Sequence, residues 1–180
     1  YAASTVIKFE DCIMFAIPSA ESIKKFIPNL TLLSIENSKL SKITSEDLMG
    51  YECLRDLCIE DCEIEYLPGD LFQHTPNLEI VSFQGNKVKY IDEGILEPLR
   101  NLKIFSLLKN IVIDVKYDIL NNTGNVTLDQ LEDEMRNKCR PSTENMLNAN
   151  YVQANAELKR KYEGRSEKLV KLSSENENVK

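Results

Sequence analysis

The chain has 180 residues and a formal net charge of −7. Nucleic acids and anionic membranes are bound through basic patches, so this acidic balance argues against both as partners. Hydrophobic residues make up 42% and charged residues 28%, which is a globular composition, and no apolar run reaches the roughly 18 to 20 residues of a membrane span.

Cysteines and glycosylation sequons favour an extracellular protein. The chain has five cysteines and begins at Tyr1, as expected of a mature or trimmed fragment without its signal peptide. The expected glycosylation sites, each in an N-x-S/T sequon, are Asn29, Asn121 and Asn125. We therefore predict a secreted protein. An odd number of cysteines leaves at least one thiol free or paired between chains.

A repeat of 24 residues runs through two thirds of the chain. Segments beginning with a leucine at positions 30, 54, 78 and 102 read LTLLSIENSKLSKI, LRDLCIEDCEIEYL, LEIVSFQGNKVKYI and LKIFSLLKNIVIDV. Each matches L-x-x-L-x-L-x-x-(N/C/S)-x-L-x-x-L, with an apolar residue at every L position. A second apolar set, eighteen residues after each first leucine, is Leu48, Phe72, Leu96 and Leu120. IKFEDCIMFAIP (7–18) matches LCIEDCEIEYLP (57–68), so a fifth unit precedes the four.

The physical basis of this pattern is a coil that buries one face of a short strand. Alternate residues of a strand point the same way, so L-x-L places two side chains in a core. The ninth residue of each unit has to bond backbone groups where the chain turns inward. Those residues are Ser38, Cys62, Asn86 and Asn110. Because one coil cannot bury its own face, the coils are expected to stack into a parallel sheet.

These repeats resemble the leucine-rich repeat family, and their length with YLPGDLF (66–72) is similar to its typical extracellular subclass. The resemblance covers about residues 4–120. It implies an α/β solenoid with a parallel sheet on its concave face and irregular or short helical segments on the convex side. We assign residues 1–121 to this solenoid of about five repeats.

After the repeats, the sequence predicts a helical cap and a polar tail. Thr127-Leu128-Asp129-Gln130 is a capping box, and apolar residues then recur at helical spacing up to Cys139. We assign 122–140 to a cap over the end of the solenoid. Residues 141–180 form a predicted polar helical tail, which either frays in solvent or joins chains in a homo- or hetero-oligomer.

An acidic helix closed by a cysteine after the last repeat is similar to small secreted leucine-rich-repeat proteins of insects, some of which act in innate immunity. In the family, that cysteine commonly pairs just after the Asn of the last repeat. Here Ile111-Val112-Ile113 stands at that place, so the partner of Cys139 is open.

Residues between the buried positions face the concave side, which we define as the sheet face opposite the core. The candidate partner-binding residues are Leu32, Glu36, Asp56, Cys58, Glu60, Ile80, Ser82, Gln84, Ile104, Ser106 and Leu108. Two groups stand out: an acidic ladder of Glu10, Glu36 and Glu60, and an apolar patch of Ile80, Ile104 and Leu108. They predict a face for a protein with basic and apolar surface. Alternatively, the ladder serves solubility and the tail covers the isoleucines.

The cysteines divide into inward and outward positions. Cys12 and Cys62 are expected to be buried thiols that replace Asn at the ninth position. Cys58 and Cys139 are the candidates for an intermolecular disulfide, the alternative being free thiols. We expect no metal and no cofactor, because no Cys/His spacing fits zinc and glutamates alone lack the loop of a calcium site.

We therefore expect a non-enzymatic, secreted recognition module that binds a protein partner through its concave face, which the resemblance places in insect innate immunity. The single histidine, His74, falls on a convex turn, and the sequence contains no phosphate loop or nucleophile elbow. The alternative is an intracellular adaptor or scaffold that assembles through its C-terminal helix, with reduced cysteines and bare sequons.

Overall fold

The computed structural model describes residues 5–120, 124 and 126–139. The predicted tail (141–180) and the sequon asparagines Asn121 and Asn125 lie outside these residues. In chain order, the elements are β1 (Thr5–Glu10), α1 (Ala20–Lys24), β2 (Leu30–Glu36), a 3-10 turn (Ser45–Leu48), β3 (Asp56–Glu60), β4 (Tyr66–Leu67), β5 (Ile80–Ser82), β6 (Tyr90–Ile91), β7 (Ile104–Ser106), β8 (Lys116–Asp118) and α2 (Leu128–Lys138).

The main sheet contains one strand from each of the five repeats, and the last repeat adds a second strand, β8. Its order is β1-β2-β3-β5-β7-β8, and every neighbouring pair up to β7 is parallel. From β2 to β7 the partners are 24 residues apart, as in Leu33, Leu57, Val81 and Phe105. A small second sheet pairs β4 with β6, also in parallel. The predicted solenoid with a parallel sheet is therefore confirmed.

The core lies between the main sheet and the returning arms of the coils. The buried strand positions are Leu33, Ile35, Leu57, Ile59, Val81, Phe83, Phe105 and Leu107, and those of the returning arms include Leu48, Leu71 and Phe72. The Phe72 ring centroid lies 6.5 Å from those of both Phe83 and Phe105, so three coils share one aromatic cluster. Burying each ring contributes about 1.5–3 kcal/mol relative to leaving it in water.

Side chains at the ninth position join neighbouring coils. Asn86 Oδ1 accepts a hydrogen bond from Ile64 N (3.1 Å), while its Nδ2 donates to Ile59 O (2.7 Å) and Phe83 O (3.0 Å). Asn110 repeats the arrangement one coil later, with bonds to Val88 N and Phe83 O. The predicted turn role of these asparagines is confirmed.

The shorter ninth-position residues make fewer bonds. Cys62 is buried and donates to Glu60 O, and Ser38 Oγ donates to Glu36 O (3.1 Å). Cys12 was predicted to be buried like Cys62, but it is half-buried. The reason is that its coil carries β1, which among the described strands is an edge strand with a neighbour on one side only.

The last repeat departs from the predicted pattern. Val112, expected in the core, is 38% exposed, and Ile113 is buried in its place at 1%. Leu120, expected to close the repeat, is 53% exposed. The cause is that the chain reverses between Leu107 and Val115, whose backbone groups bond each other (2.9 Å), so that β8 runs antiparallel to β7 and the returning arm is not built.

The predicted cap helix is present. Thr127 Oγ1 accepts from Gln130 N (3.3 Å) and Gln130 Oε1 accepts from Thr127 N (2.8 Å), which confirms the capping box. Leu131, Met135 and Cys139, spaced four apart, are buried on one side of α2. Cys139 O also accepts a hydrogen bond from Ile91 N (3.0 Å), which ties the end of α2 to the fourth coil.

We predict that Asn86→Ala lowers the free energy of unfolding by about 2–4 kcal/mol, because it leaves buried backbone groups of two coils without partners. Asn77→Ala is the matched control, since Asn77 is exposed and donates a single bond to Glu52 O (2.9 Å). Its cost should stay below about 1 kcal/mol. Urea titrations of both variants measure the difference, and equal losses would contradict the role of the ninth position.

Candidate functional site on the concave face

The strand register brings the predicted binding residues together on the concave face. One column across the strands is Val6, Leu32, Asp56, Ile80 and Ile104, a second is Lys8, Ser34, Cys58, Ser82 and Ser106, and a third is Glu10, Glu36 and Glu60. Backbone bonds from Asp61 N to Gln84 O (2.9 Å) and from Gly85 N to Leu108 O (2.9 Å) extend the third column to Gln84 and Leu108. All eleven candidate residues therefore lie on one surface.

The three glutamates of the acidic ladder are not equally paired with cations. Lys8 Nζ lies 2.9 Å from Glu36 Oε2 and 3.5 Å from Glu10 Oε2, so one cation serves two carboxylates. Hydrogen bonding by Lys8 lowers the pKa of Glu36, and Glu36 in turn raises the pKa of Lys8. Glu60 accepts a hydrogen bond from Ser82 Oγ, and within the described residues no cation pairs with it. The negative charge of the ladder is therefore concentrated at Glu60.

The apolar patch occupies the C-terminal half of the face. Ile80 pairs in register with Ile104, and these two and Leu108 are half-buried. Asp56 lies beside Ile80 in the same column, and its pKa is raised by burial and then by the charge of Glu79. An aliphatic surface bordered by carboxylates suits a partner that presents an apolar side chain beside a basic one.

Residues of β8 also border the face, and the sequence reasoning missed them. Asp118 lies opposite Ile104, and Lys116 lies opposite Ser106. Lys116 Nζ is 2.7 Å from Asp118 Oδ2. The sequence pattern that indicates this strand is the alternation Val115-Lys116-Tyr117-Asp118, in which every second residue is apolar or aromatic.

A row of left-handed residues forms the rim where the strands end. The residues are Asp11 (φ 54°), Asn37 (φ 48°), Asp61 (φ 49°), Gly85 (φ 70°) and Lys109 (φ 58°). A Cβ on Gly85 would lie 2.0 Å from Asp61 Oδ1, so only glycine lets the Asp61 carboxylate pack against that turn. Asp and Asn at this position tolerate the conformation better than most residues, which is the sequence signal for the row.

The Cys58 thiol is held in its protonated form. Burial, followed by the charges of Glu60, Asp56 and Glu36, raises its pKa to about 12. Thiolates rather than thiols are nucleophilic, so Cys58 behaves as a small polar side chain on the face.

The structure does not support a disulfide. All five cysteines lie in the described part of the chain, and all are free thiols. Cys139, predicted as one partner of an intermolecular bond, is 0% exposed, and burial raises its pKa to about 11. An external thiol could reach Cys139 only if α2 moved away from the core.

Other predicted sites were placed away from this face. Asn29 is exposed in the turn before β2, and His74 is half-buried at the end of the turn 69–74. Among the described residues there is no cluster of His, Cys, Asp and Glu that could hold a metal ion, and no helix is long and apolar enough to cross a membrane. A separate cavity of about 280 Å³ lies between the loop 91–97 and α2, and it includes none of the candidate residues.

Comparison with known proteins supports the fold. No protein-family model matches the chain, and no curated protein matches it either. Among solved structures, it is similar to a chain in the structure of the Toll–Spatzle complex, a molecular hub in Drosophila development and innate immunity, with a TM-score of 0.52 and 23% identity. The match covers 60% of this chain and 14% of that chain. At this identity the likeness shows the fold alone, which is consistent with a leucine-rich-repeat-like solenoid.

We predict that iodoacetamide labels Cys53 first in the native protein, because Cys53 is exposed, whereas Cys139 is buried and the half-buried Cys58 is held as a protonated thiol. With a pKa near 12, about one Cys58 in ten thousand is a thiolate at pH 8. Mass spectrometry of timed digests should find Cys58 and Cys139 labelled only after urea is added. Labelling of either at the rate of Cys53 without urea would show that the described burial is wrong.

Proposed function

We propose that this protein is a secreted, non-enzymatic recognition module that binds a protein partner through the concave face. The observation that carries the proposal is that one sheet face holds both the apolar patch and Glu60, a carboxylate that no cation of the described residues pairs with. Aliphatic groups left half-exposed beside a carboxylate lower their free energy when a partner removes them from water and supplies a cation.

The absence of catalysis is part of the proposal and is supported by the chemistry of the face. Glu36 has a lowered pKa, whereas a general acid needs a raised one. The thiol on this surface, Cys58, has a pKa near 12 and is a poor nucleophile. The face therefore has the character of a binding surface.

A place in insect innate immunity is the biological setting that we propose. It is supported by the resemblance of the repeats and the acidic helix to small secreted leucine-rich-repeat proteins of insects. The fold likeness to a chain of the Toll–Spatzle complex, which is described as a hub of innate immunity, agrees with this setting. Asn29 is exposed, as a glycosylated asparagine of a secreted protein has to be.

The second candidate is an intracellular adaptor or scaffold that assembles through its C-terminal helix. It is favoured by the state of the cysteines, which are all thiols in the structure, as they would be in a reducing compartment.

We predict that the double variant Ile80→Asp, Ile104→Asp captures at least about tenfold less of the partner proteins bound by the wild type, because carboxylates in the apolar patch would be desolvated on binding. The readout is quantitative affinity capture from insect haemolymph, with the bound proteins measured by mass spectrometry.

The matched control for this capture is Met49→Asp, Ile111→Asp, which adds the same charge at exposed apolar positions outside the strands of the sheet. Unfolding curves of both variants show that each is folded. Equal capture by the wild type and the Ile80→Asp, Ile104→Asp variant would remove the concave face from the proposal.

We also predict that the protein made in insect cells carries a glycan on Asn29. Glycosidase treatment should increase its mobility on a denaturing gel, and Asn29→Gln should remove one glycan from the intact mass. A protein without any sugar on its three sequons would favour the intracellular alternative.

A further inference from the structure

We propose that the partner binds the concave face as one extended segment, with a basic residue on Glu60 and a bulky apolar residue, three or four positions away, on the apolar patch beside Ser106. This inference rests on the proposed function, because it specifies what the same face recognises.

The basic end of the segment is assigned from the ladder. Glu10 and Glu36 share Lys8, whereas Glu60 receives only the hydroxyl of Ser82 among the described residues. Glu60 is half-buried, so water screens its charge less than that of an exposed carboxylate. Within the ladder, a lysine or arginine of the partner is therefore attracted more strongly to Glu60 than to Glu10 or Glu36, whose charge Lys8 already offsets.

The apolar end of the segment is assigned from an independent observation at Ser106. This residue is 4% exposed, and its hydroxyl has no hydrogen-bond partner in the described part of the chain. Ser106 aligns with Ser82 and Cys58 in the second column, so its side chain lies on the concave side of the sheet, where its hydroxyl is covered by neighbouring side chains.

The hydroxyl of Ser106 has no partner among the described residues because no glutamate of the ladder lies beside it. Ser34 Oγ donates to Glu36 (3.1 Å), and Ser82 Oγ donates to Glu60, so each of these serines uses a carboxylate of the ladder. At Ser106 the ladder has ended, because Gln84 and Leu108 stand where the glutamates would be. A backbone group of a bound segment would supply the missing partner, and the surrounding Ile80, Ile104 and Leu108 would hold an adjacent apolar side chain.

The spacing of the two contacts follows from the sheet geometry. Glu60 and Ser106 are two strands apart at about 4.8 Å each, and two residues apart along the strand at about 3.4 Å each, which is a separation of about 12 Å. An extended chain advances about 3.3 Å per residue, so three to four residues span this separation. A helix, at 1.5 Å per residue, would need about eight residues for the same distance.

The test is a selection of random twelve-residue peptides displayed on phage against the full chain. The expected result is enrichment of sequences with Lys or Arg three or four positions from Leu, Ile, Phe or Met. The Kd of an enriched peptide should weaken about tenfold on Glu60→Gln and about tenfold when its basic residue becomes Gln, with little further loss when both changes are combined. Glu65→Gln is the control, since Glu65 pairs with Lys89 (3.0 Å) outside this face.

The variant Ser106→Ala separates an effect on binding from an effect on stability. The variant should unfold at the same or a higher urea concentration, because it removes an unpaired hydroxyl, and yet it should bind the selected peptide several times more weakly.

Each outcome of the selection has a defined meaning. Peptides that lose affinity for Ile80→Asp, Ile104→Asp but lack the basic residue, or ignore Glu60→Gln, would overturn this inference and leave the concave face as the binding surface. Peptides that ignore both sets of changes would count against both proposals. Failure to enrich any peptide, as expected if the chain's own tail or a second copy occupies the face, would overturn the inference as well.

Discussion

The side chain at the inward turn of each coil is the constraint on which the rest of the structure depends. Where the chain leaves a strand, backbone groups of two coils point into a space that water does not enter, and burying them unpaired is costly. Asn86 and Asn110 each accept from one coil and donate to carbonyls of two. These bonds hold each coil on the previous one and so give the 24-residue period a structural meaning.

Because the coils are held in this way, their strands align residue for residue and every position becomes a column. Positions that point inward form a continuous core, in which Phe72, Phe83 and Phe105 link three coils. Positions that point outward form the concave face. A different residue at one of these positions changes the chemistry of that face at one coil only. The replacement of Glu by Gln84 and Leu108 in the third column is what changes the face from acidic to apolar.

The two edges of the main sheet differ in how well they cover the core. In the described part of the chain, β1 has a neighbouring strand on one side only. Its residues Ile7 and Phe9, which align with buried residues of the next coil, are half-buried. At the other edge, β8 folds back on β7 and α2 buries Leu131 and Met135 in the same core. Antiparallel pairing needs only a short reversal of the chain, whereas another parallel strand would need a whole further coil.

The repeat, the parallel sheet, the columns of the concave face and the capping box can all be predicted from the sequence, because each depends on a local spacing of residues along the chain. The fold in three dimensions sets the reversal between Leu107 and Val115, the exchange of Val112 for Ile113 in the core, the burial of Cys139 and the sharing of Lys8 by two glutamates. These four features depend on contacts between residues that are not neighbours in the sequence. The same holds for Ser106, whose hydroxyl has no partner among the described residues because of its neighbours and not because of its own position in the repeat.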